Sequence, residues 1–157
     1  MKVSPGRFTA EVDKDFVVFL IGMRVNQWWR FDQWVPVAMA MPFMLRRLMS
    51  EPSLGMLAHE NFFRLFPITT CLVTYWKDFE SLERFSKDPS ETHLGAWSRY
   101  NQRVGKSGVV GVWHETYKVT KGDSECVYAN MPVFGLAKAT RHVPISPPTD
   151  SARQRIS

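Results

Sequence analysis

Phe16-Val-Val-Phe-Leu-Ile-Gly-Met-Arg-Val25 is the stretch of this 157-residue sequence that decides its fold. β-Branched and aromatic residues fill it, which predicts a β-strand, and apolar side chains occupy both alternating faces for most of its length. Gly22 within it indicates a bulge or a close approach of another backbone segment. Because both faces are apolar, we expect helices to cover one side of the sheet and a second subunit to cover the other.

A helix and a hairpin are predicted after this strand. The helix spans about residues 36–49, with Pro36 at its first position and Pro42 inside, which predicts a kink or a later start. Its apolar face repeats at i, i+4, i+7, i+8 and i+11: Val37, Met41, Met44, Leu45 and Leu48. The hairpin places one strand within residues 55–63 and a stronger one at 69–76.

The second half of the chain repeats the alternation of helix and strand. Asp78 is the predicted N-cap of a short helix that carries Phe79, Leu82 and Phe85 on one side. A further helical segment runs to Arg103, a long strand covers residues 109–119, and a short strand covers 125–128. The order β-α-β-β-α-β predicts an α+β, ferredoxin-like fold assembled as a dimeric α+β barrel.

This pattern predicts one domain with an unstructured segment at each end. We expect a flexible N-terminus over residues 1–14, a single ferredoxin-like domain over 15–140, and a disordered, proline-rich tail over 141–157.

Composition excludes several classes of function. No stripe of lysine and arginine accompanies the net charge of +5, so we expect no nucleic-acid partner. The longest uncharged apolar stretch, residues 33–44, falls short of the roughly 20 residues that span a membrane. Cys71 and Cys126 are too few and too far apart for a disulfide framework or a zinc site. We therefore expect a cytoplasmic protein without a membrane partner. P-loop, GxGxxG, HExxH and GxSxG motifs are absent from the sequence.

Two histidines stand in aromatic motifs. His93 is four residues before Trp97 on the predicted helix, so both share a face, either as core residues or as an iron ligand with its neighbour. On the last long strand, alternation places His114 with Val110, Val112 and Thr116. Glu115 then points to the opposite face, where Arg24 is its first candidate partner. The remaining histidines, His59 and His142, are expected to be solvated or packed.

Methionines concentrate in the first predicted helix. The group comprises Met39, Met41, Met44 and Met49. Their soft side chains suit either core packing or the lining of a site for a flat hydrophobic guest, and the pattern alone favours neither.

The motif Gly-Val-Trp-His-Glu-Thr-Tyr at residues 111–117 carries a resemblance. With Tyr-Trp-Lys-Asp-Phe-Glu-Ser-Leu at 75–82 and Tyr-Ala-Asn-Met-Pro at 128–132, it resembles the small monooxygenase-like family related to a fungal polyketide-tailoring monooxygenase, over residues 17–137. The chain is more distantly similar to heme-containing aldoxime dehydratases, which place a proximal histidine on a helix and a distal histidine on a strand. That resemblance implies heme b, with His93 as the axial iron ligand and His114 as the distal acid/base.

The resemblance therefore favours a heme-binding monooxygenase-like enzyme that acts on a small hydrophobic substrate. Trp97 and an arginine would contact the heme, and Asn26, Met41 and Met44 would contact the substrate. The candidates for contact with the heme propionates are Arg24, Arg30, Arg46 and Arg47.

Three alternatives stay open: a heme-dependent aldoxime dehydratase-like lyase, a non-catalytic heme carrier, and a cofactor-independent polyketide or quinol monooxygenase. In that last case Asn26, Trp28, Trp97 and His114 would orient the substrate. A homodimer is expected in every case.

Overall fold

The computed structural model describes residues 2–87 and 106–156. Its strands are β1 (Ser4–Glu11), β2 (Phe16–Val25), β3 (Met56–Arg64), β4 (Thr69–Trp76), β5 (Val110–Val119), β6 (Tyr128–Met131) and β7 (Arg141–Pro144). Its helices are α1 (Phe31–Ser50), α2 (Phe79–Lys87), α3 (Leu136–Ala139) and α4 (Ala152–Arg155). The predicted helical segment that ends at Arg103 lies outside the described residues.

The main sheet has four antiparallel strands in the order β3-β4-β2-β5. Neither of the strands that flank β2 follows it directly in the chain. The connections between these strands include α1 and α2, and both helices lie on the same side of the sheet. This arrangement confirms the predicted ferredoxin-like α+β fold. The deciding strand, β2, lies inside the sheet and pairs with β5 along its whole length and with β4 along most of it.

Gly22 marks a close approach and not a bulge, since the register of β2 runs unbroken past it. A Cβ atom at this position would lie 2.4 Å from the carbonyl oxygen of Thr70 and 2.7 Å from Nε1 of Trp113. The indole of Trp113 therefore lies over the glycine, and this crossing of backbone and ring requires a residue without a side chain.

Helix α1 begins at Phe31, five residues before the predicted start at Pro36. The Phe31 ring packs on Trp34 at 5.6 Å, and Trp34 donates its indole N–H to the Trp28 carbonyl oxygen at 2.9 Å. These aromatic contacts stabilise an additional helical turn before Pro36. Both prolines then lie inside the helix, so the predicted boundary was wrong because tertiary contacts outweigh the local preference of proline for a first turn.

Helix α2 begins as predicted. The Asp78 carboxylate accepts a hydrogen bond from the Ser81 backbone N–H at 2.7 Å, and this bond holds the pKa of Asp78 below its usual range. Leu82 and Phe85 are buried and pack with Val17 and Trp76, which anchors the helix on the sheet.

A second antiparallel sheet, in the order β6-β1-β7, joins the two ends of the chain. The flexible N-terminus predicted for residues 1–14 is wrong, because β1 pairs with β6 and β7. The disordered tail predicted for residues 141–157 is wrong as well, since it contains β7 and α4. Arg7 binds Asp150 at 2.7 Å, and these long-range contacts order segments that show no clear periodicity of their own.

The chain covers part of the second face of its main sheet by itself. Glu60 on β3 forms an ion pair with Lys138 on α3 at 2.7 Å and accepts the Gly135 backbone N–H at 2.9 Å. The Phe62 ring contacts Phe134 edge-on at 6.2 Å. The β3 end of this face is therefore covered, whereas the sequence led us to expect it bare in a monomer.

Candidate functional site

An apolar cleft lies between the main sheet and the two helices that pack on it. Its cavity volume is about 40 Å³, and the cleft is partly open to solvent. The residues that line it come from β2, β4, α1 and α2: Phe19, Ile21, Met41, Met44, Leu45, Leu48, Leu72, Thr74, Trp76, Phe85 and Ser86. Nearly all are hydrophobic, so the cleft favours a guest with a large apolar surface.

The floor of the cleft contains few polar atoms, and they are engaged. Trp76 is 1% exposed and donates its indole N–H to Thr74 Oγ1 at 2.8 Å. The Thr74 hydroxyl in turn donates to the Phe19 carbonyl oxygen at 3.0 Å, and Ser86 Oγ donates to the Glu83 carbonyl oxygen at 2.8 Å. Because these groups bond within the protein, the floor offers a guest packing rather than hydrogen bonds.

His114 lies at the margin of this cleft. It pairs directly with Ile21 across β2 and β5, and directly paired residues project from the same face of a sheet. Its ring centroid lies 5.8 Å from that of Phe19. The register also puts Val110, Val112 and Thr116 on this face, as the alternation predicted. His114 is exposed and does not itself line the cleft, so its imidazole lies beside the cleft residues Phe19 and Ile21.

Glu115 points to the opposite face, as predicted. It accepts a hydrogen bond from the Tyr117 hydroxyl at 2.5 Å, and this bond raises the pKa of Tyr117. Within residues 2–87 and 106–156, no ion pair joins Glu115 to Arg24, so the predicted pair is wrong. Arg24 pairs with Gly111 on that same far face, away from the cleft. Its predicted role in binding a cofactor is therefore wrong for a cofactor held in the cleft.

Only some of the predicted substrate-binding residues line the cleft. Met41 and Met44 line the cleft from α1. Asn26 instead donates its side-chain N–H to the Gly108 carbonyl oxygen at 3.0 Å and holds the end of β2 against the start of β5. Asn26 therefore has a structural partner outside the cleft lining.

The remaining histidine predictions have different outcomes. His93 and Trp97 lie outside the described residues. His142 stacks on Phe8 with ring centroids 4.3 Å apart, so it is packed, as expected. His59 pairs with Thr74 and projects from the cleft face of the edge strand β3. Partial burial, and then the charge of Lys138, lower the pKa of His59.

Sequence reasoning missed the residues of the central strands that line the cleft. Phe19, Ile21, Leu72 and Trp76 were assigned to strands, but none was assigned to a site. The signal was available in the alternation of β2 and β4, once the register pairs Ile21 with Leu72 and Phe19 with Thr74. Register depends on tertiary pairing, which single-strand patterns do not reveal.

The fold defines a class, the ferredoxin-like α+β proteins, and in this chain an apolar cleft lies between the sheet and the helices. Within that class, the model of the Monooxygenase af470-like family matches residues 16–136. This match covers more than half of the chain, and the chain belongs to that family.

The chain is also similar to two larger proteins. Monooxygenase af470 of Aspergillus fumigatus is 35% identical over 86 residues, which cover 53% of this chain and 30% of that protein. The chain thus spans less than a third of that relative's length. A crystal structure of the aldoxime dehydratase OxdRE in complex with butyraldoxime matches 98% of this chain and 40% of that chain, with a TM-score of 0.63 and 14% identity. At this identity the likeness shows the fold alone.

Smaller solved structures also match this chain. SnoaB from Streptomyces nogalater, a cofactor-independent oxygenase, matches 67% of this chain and 93% of its own, with a TM-score of 0.48 and 12% identity. Dimeric proteins of ferredoxin-like fold are among the solved structures that match. Among the residues that the structure describes, none of the helices is long and apolar enough to cross a membrane.

Proposed function

We propose that this protein is a heme-binding monooxygenase-like enzyme that acts on a small hydrophobic substrate. The observation that carries the proposal is the position of His114, on the sheet face that forms the cleft and near Phe19 of its wall. A single proton-transferring group beside a hydrophobic cavity suits chemistry on one polar atom of an apolar molecule.

The described lining of the cleft supports the proposal by its chemical character, which suits an apolar group. Met41 and Met44 supply adaptable side chains from one side, and the strands supply Phe19, Ile21 and Leu72 from the other. His93 is the residue proposed to hold the heme iron, and Trp97 is proposed to contact the heme. Heme bound there would supply an iron that activates a bound O–O or N–O group.

His114 is the proposed acid and base. A neutral imidazole accepts a proton and an imidazolium donates one, so His114 would move a proton to or from the polar atom of the guest at the cleft mouth. Because this side chain is exposed, it can exchange its proton with solvent between turnovers. The engaged hydroxyl of Thr74 and the buried indole of Trp76 keep the floor free of competing proton donors.

The proposed assembly is a homodimer through the part of the second sheet face that α3 leaves uncovered. Val18 and Leu20 on β2 are only half-buried there, and Tyr117 on β5 is 51% exposed. A second copy that packs this face would bury apolar residues of the central strand.

Hemin titration tests the proposal. Wild-type protein, expressed with a heme precursor, is expected to show a Soret band that saturates at one hemin per chain. His93→Ala should lose the band. His142→Ala is the matched control, because this histidine stacks on Phe8 in the second sheet, and it should keep the band. A colourless wild-type protein that gains no Soret band on titration would overturn heme binding.

A further inference from the structure

Helix α1 has an exposed apolar side that the proposed function does not use. Val35, Met39 and Phe43 follow Phe31 at intervals of four residues, so they form one ridge along the outer surface. Met39 is 52% exposed, Phe43 is 58% exposed and Phe31 is 53% exposed. The ridge runs for about 18 Å at the rise of an α-helix. Soluble helices normally carry charged residues on this side.

Two tryptophans extend the ridge at its N-terminal end. Trp28 and Trp29 are each 57% exposed and contact each other edge-on at 6.1 Å, and Trp28 also contacts Phe31 at 6.2 Å. Tryptophan is the residue most typical of the boundary between water and hydrocarbon, because its ring is amphipathic. We call Trp28, Trp29, Phe31, Val35, Met39 and Phe43 the outer ridge.

Arginines lie at both ends of the outer ridge, and the excess of positive charge is at its C-terminal end. Arg30 lies at the tryptophan end, and Asp32 beside it is held in an ion pair with Arg30 at 3.2 Å. Arg46 and Arg47 lie at the far end, where Arg47 pairs with Glu51 at 3.5 Å. Between these ends, residues 33–45 carry no charge. The whole chain has a net charge of +5, which adds to attraction toward an anionic surface.

We propose that the outer ridge binds the surface of a membrane that contains anionic lipids. A convex apolar ridge with arginines at its ends matches the geometry of a helix that lies in the interface, with its side chains among the acyl chains and its cations among the headgroups. This is peripheral attachment, which differs from the membrane span excluded above. The proposal departs from our prediction, made from the sequence, that the protein has no membrane partner. The inference does not depend on heme.

The attachment has a consequence for the cleft. The same helix bears the outer ridge on one side and Met41, Met44, Leu45 and Leu48 on the side that lines the cleft. A protein held by this helix would have its apolar cavity directly beneath the lipid surface, where hydrophobic molecules concentrate.

Vesicle co-sedimentation tests the proposal with the full chain. One probe is vesicles of phosphatidylcholine with about 30% phosphatidylserine, which gives a strongly anionic surface. The other is vesicles of phosphatidylcholine alone. We expect the wild-type protein to sediment with the anionic vesicles and much less with the neutral ones. The double variant Met39→Glu/Phe43→Glu should lower the partition coefficient at least about tenfold, because it places two charges in the ridge. Arg46→Glu should lower it less, through charge alone.

The matched control is Leu57→Glu/Val127→Glu, which places the same two charges at apolar residues 44% and 42% exposed outside α1. It should bind vesicles as the wild type does. Trp29→Glu, which lies before the helix, repeats the test if the double variant does not fold. Failure of the wild type to bind anionic vesicles, or an equal loss in the control, would overturn the proposal. So would a ridge variant that splits a dimer in sedimentation velocity while vesicle binding is unchanged, since the ridge would then be a protein interface.

Discussion

The two faces of the main sheet differ in what they leave accessible. On the cleft face, Phe19, Ile21, Thr74 and Trp76 form an apolar wall whose polar atoms bond within the protein, and His114 stands at its edge. On the far face, the protein packs its own α3 at one end. The pair formed by Glu115 and Tyr117 is exposed at the other end. We propose that the cleft face receives a guest and that the far face receives a second subunit.

This difference arises from alternation within single strands. His114 and Glu115 are neighbours in sequence and face opposite sides of β5, so one residue of register separates a candidate catalytic group from a surface carboxylate. Substitutions at adjacent positions can therefore test the two faces independently.

The largest effect is expected at the floor of the cleft. Trp76→Ala removes a ring that packs on Phe85 at 5.7 Å and leaves the Thr74 hydroxyl without its donor. The free energy of unfolding should fall by about 3–5 kcal/mol. Urea denaturation measures it. Trp29→Ala, at an exposed ring, should change it by less than about 0.5 kcal/mol. Equal losses would show that Trp76 is not part of the core.

The far face depends on the crossing at Gly22. Gly22→Ala would bring Cβ against the Thr70 carbonyl and the Trp113 indole, and we expect a loss of about 2–3 kcal/mol in the free energy of unfolding. Gly111→Ala is the matched control on β5, because its Cβ would meet only the Asn26 side chain, at an ordinary 3.7 Å. Thermal or urea unfolding compares the two. If both variants are equally stable, the close approach does not exist.

A smaller effect is expected at the start of α2, which closes one end of the cleft. Asp78→Ala should cost about 1 kcal/mol at neutral pH through loss of the cap to Ser81. Because the folded state lowers the pKa of Asp78, its ionised form stabilises the fold above the unfolded pKa, and this contribution disappears as the pH falls through the folded pKa. The stability difference between wild type and variant should therefore shrink in acid. Asp78→Asn, which keeps a capping oxygen, should retain most of the stability but lose the dependence on pH.

The smallest effect concerns the exposed pair on the far face. The hydrogen bond to Glu115, followed by its charge, raises the pKa of Tyr117. Glu115→Gln should move the titration of this phenol to lower pH in an ultraviolet absorbance titration, with stability changed by less than about 0.5 kcal/mol. Subtracting the titration curve of Tyr117→Phe isolates the signal. An unshifted phenol titration in Glu115→Gln would show that the two groups do not interact in solution.

The sequence predicted the main sheet well because its signals are local. The apolar run of β2, the Asp78 cap and the alternation around His114 each depend on a few neighbouring residues. The second sheet escaped prediction, because Pro5 and Gly6 disturb the pattern of β1, and its partners lie more than a hundred residues away. Arg24 was misassigned for a related reason. Its distance from Glu115 and its face relative to the cleft depend on strand register, which composition does not reveal.

Only part of the candidate site could be predicted from local sequence patterns. Met41 and Met44 followed from helical spacing, and His114 from its motif. The wall residues on β2 and β4 belong to strands that looked like ordinary core, and only their pairing aligns them beneath α1.

The central claim is that the cleft face is the reactive face, and one measurement tests it most directly. Hemin-loaded wild type, His114→Ala and Glu115→Gln are mixed with hydrogen peroxide, and the bimolecular rate is followed from the Soret change in a stopped-flow instrument. The account predicts that His114→Ala reacts about 100-fold more slowly, the loss expected of a missing acid/base group. Glu115→Gln should react within about twofold of the wild type, since such far-face substitutions act outside the site. Equal rates in His114→Ala and wild type, or equal losses in both variants, would contradict it.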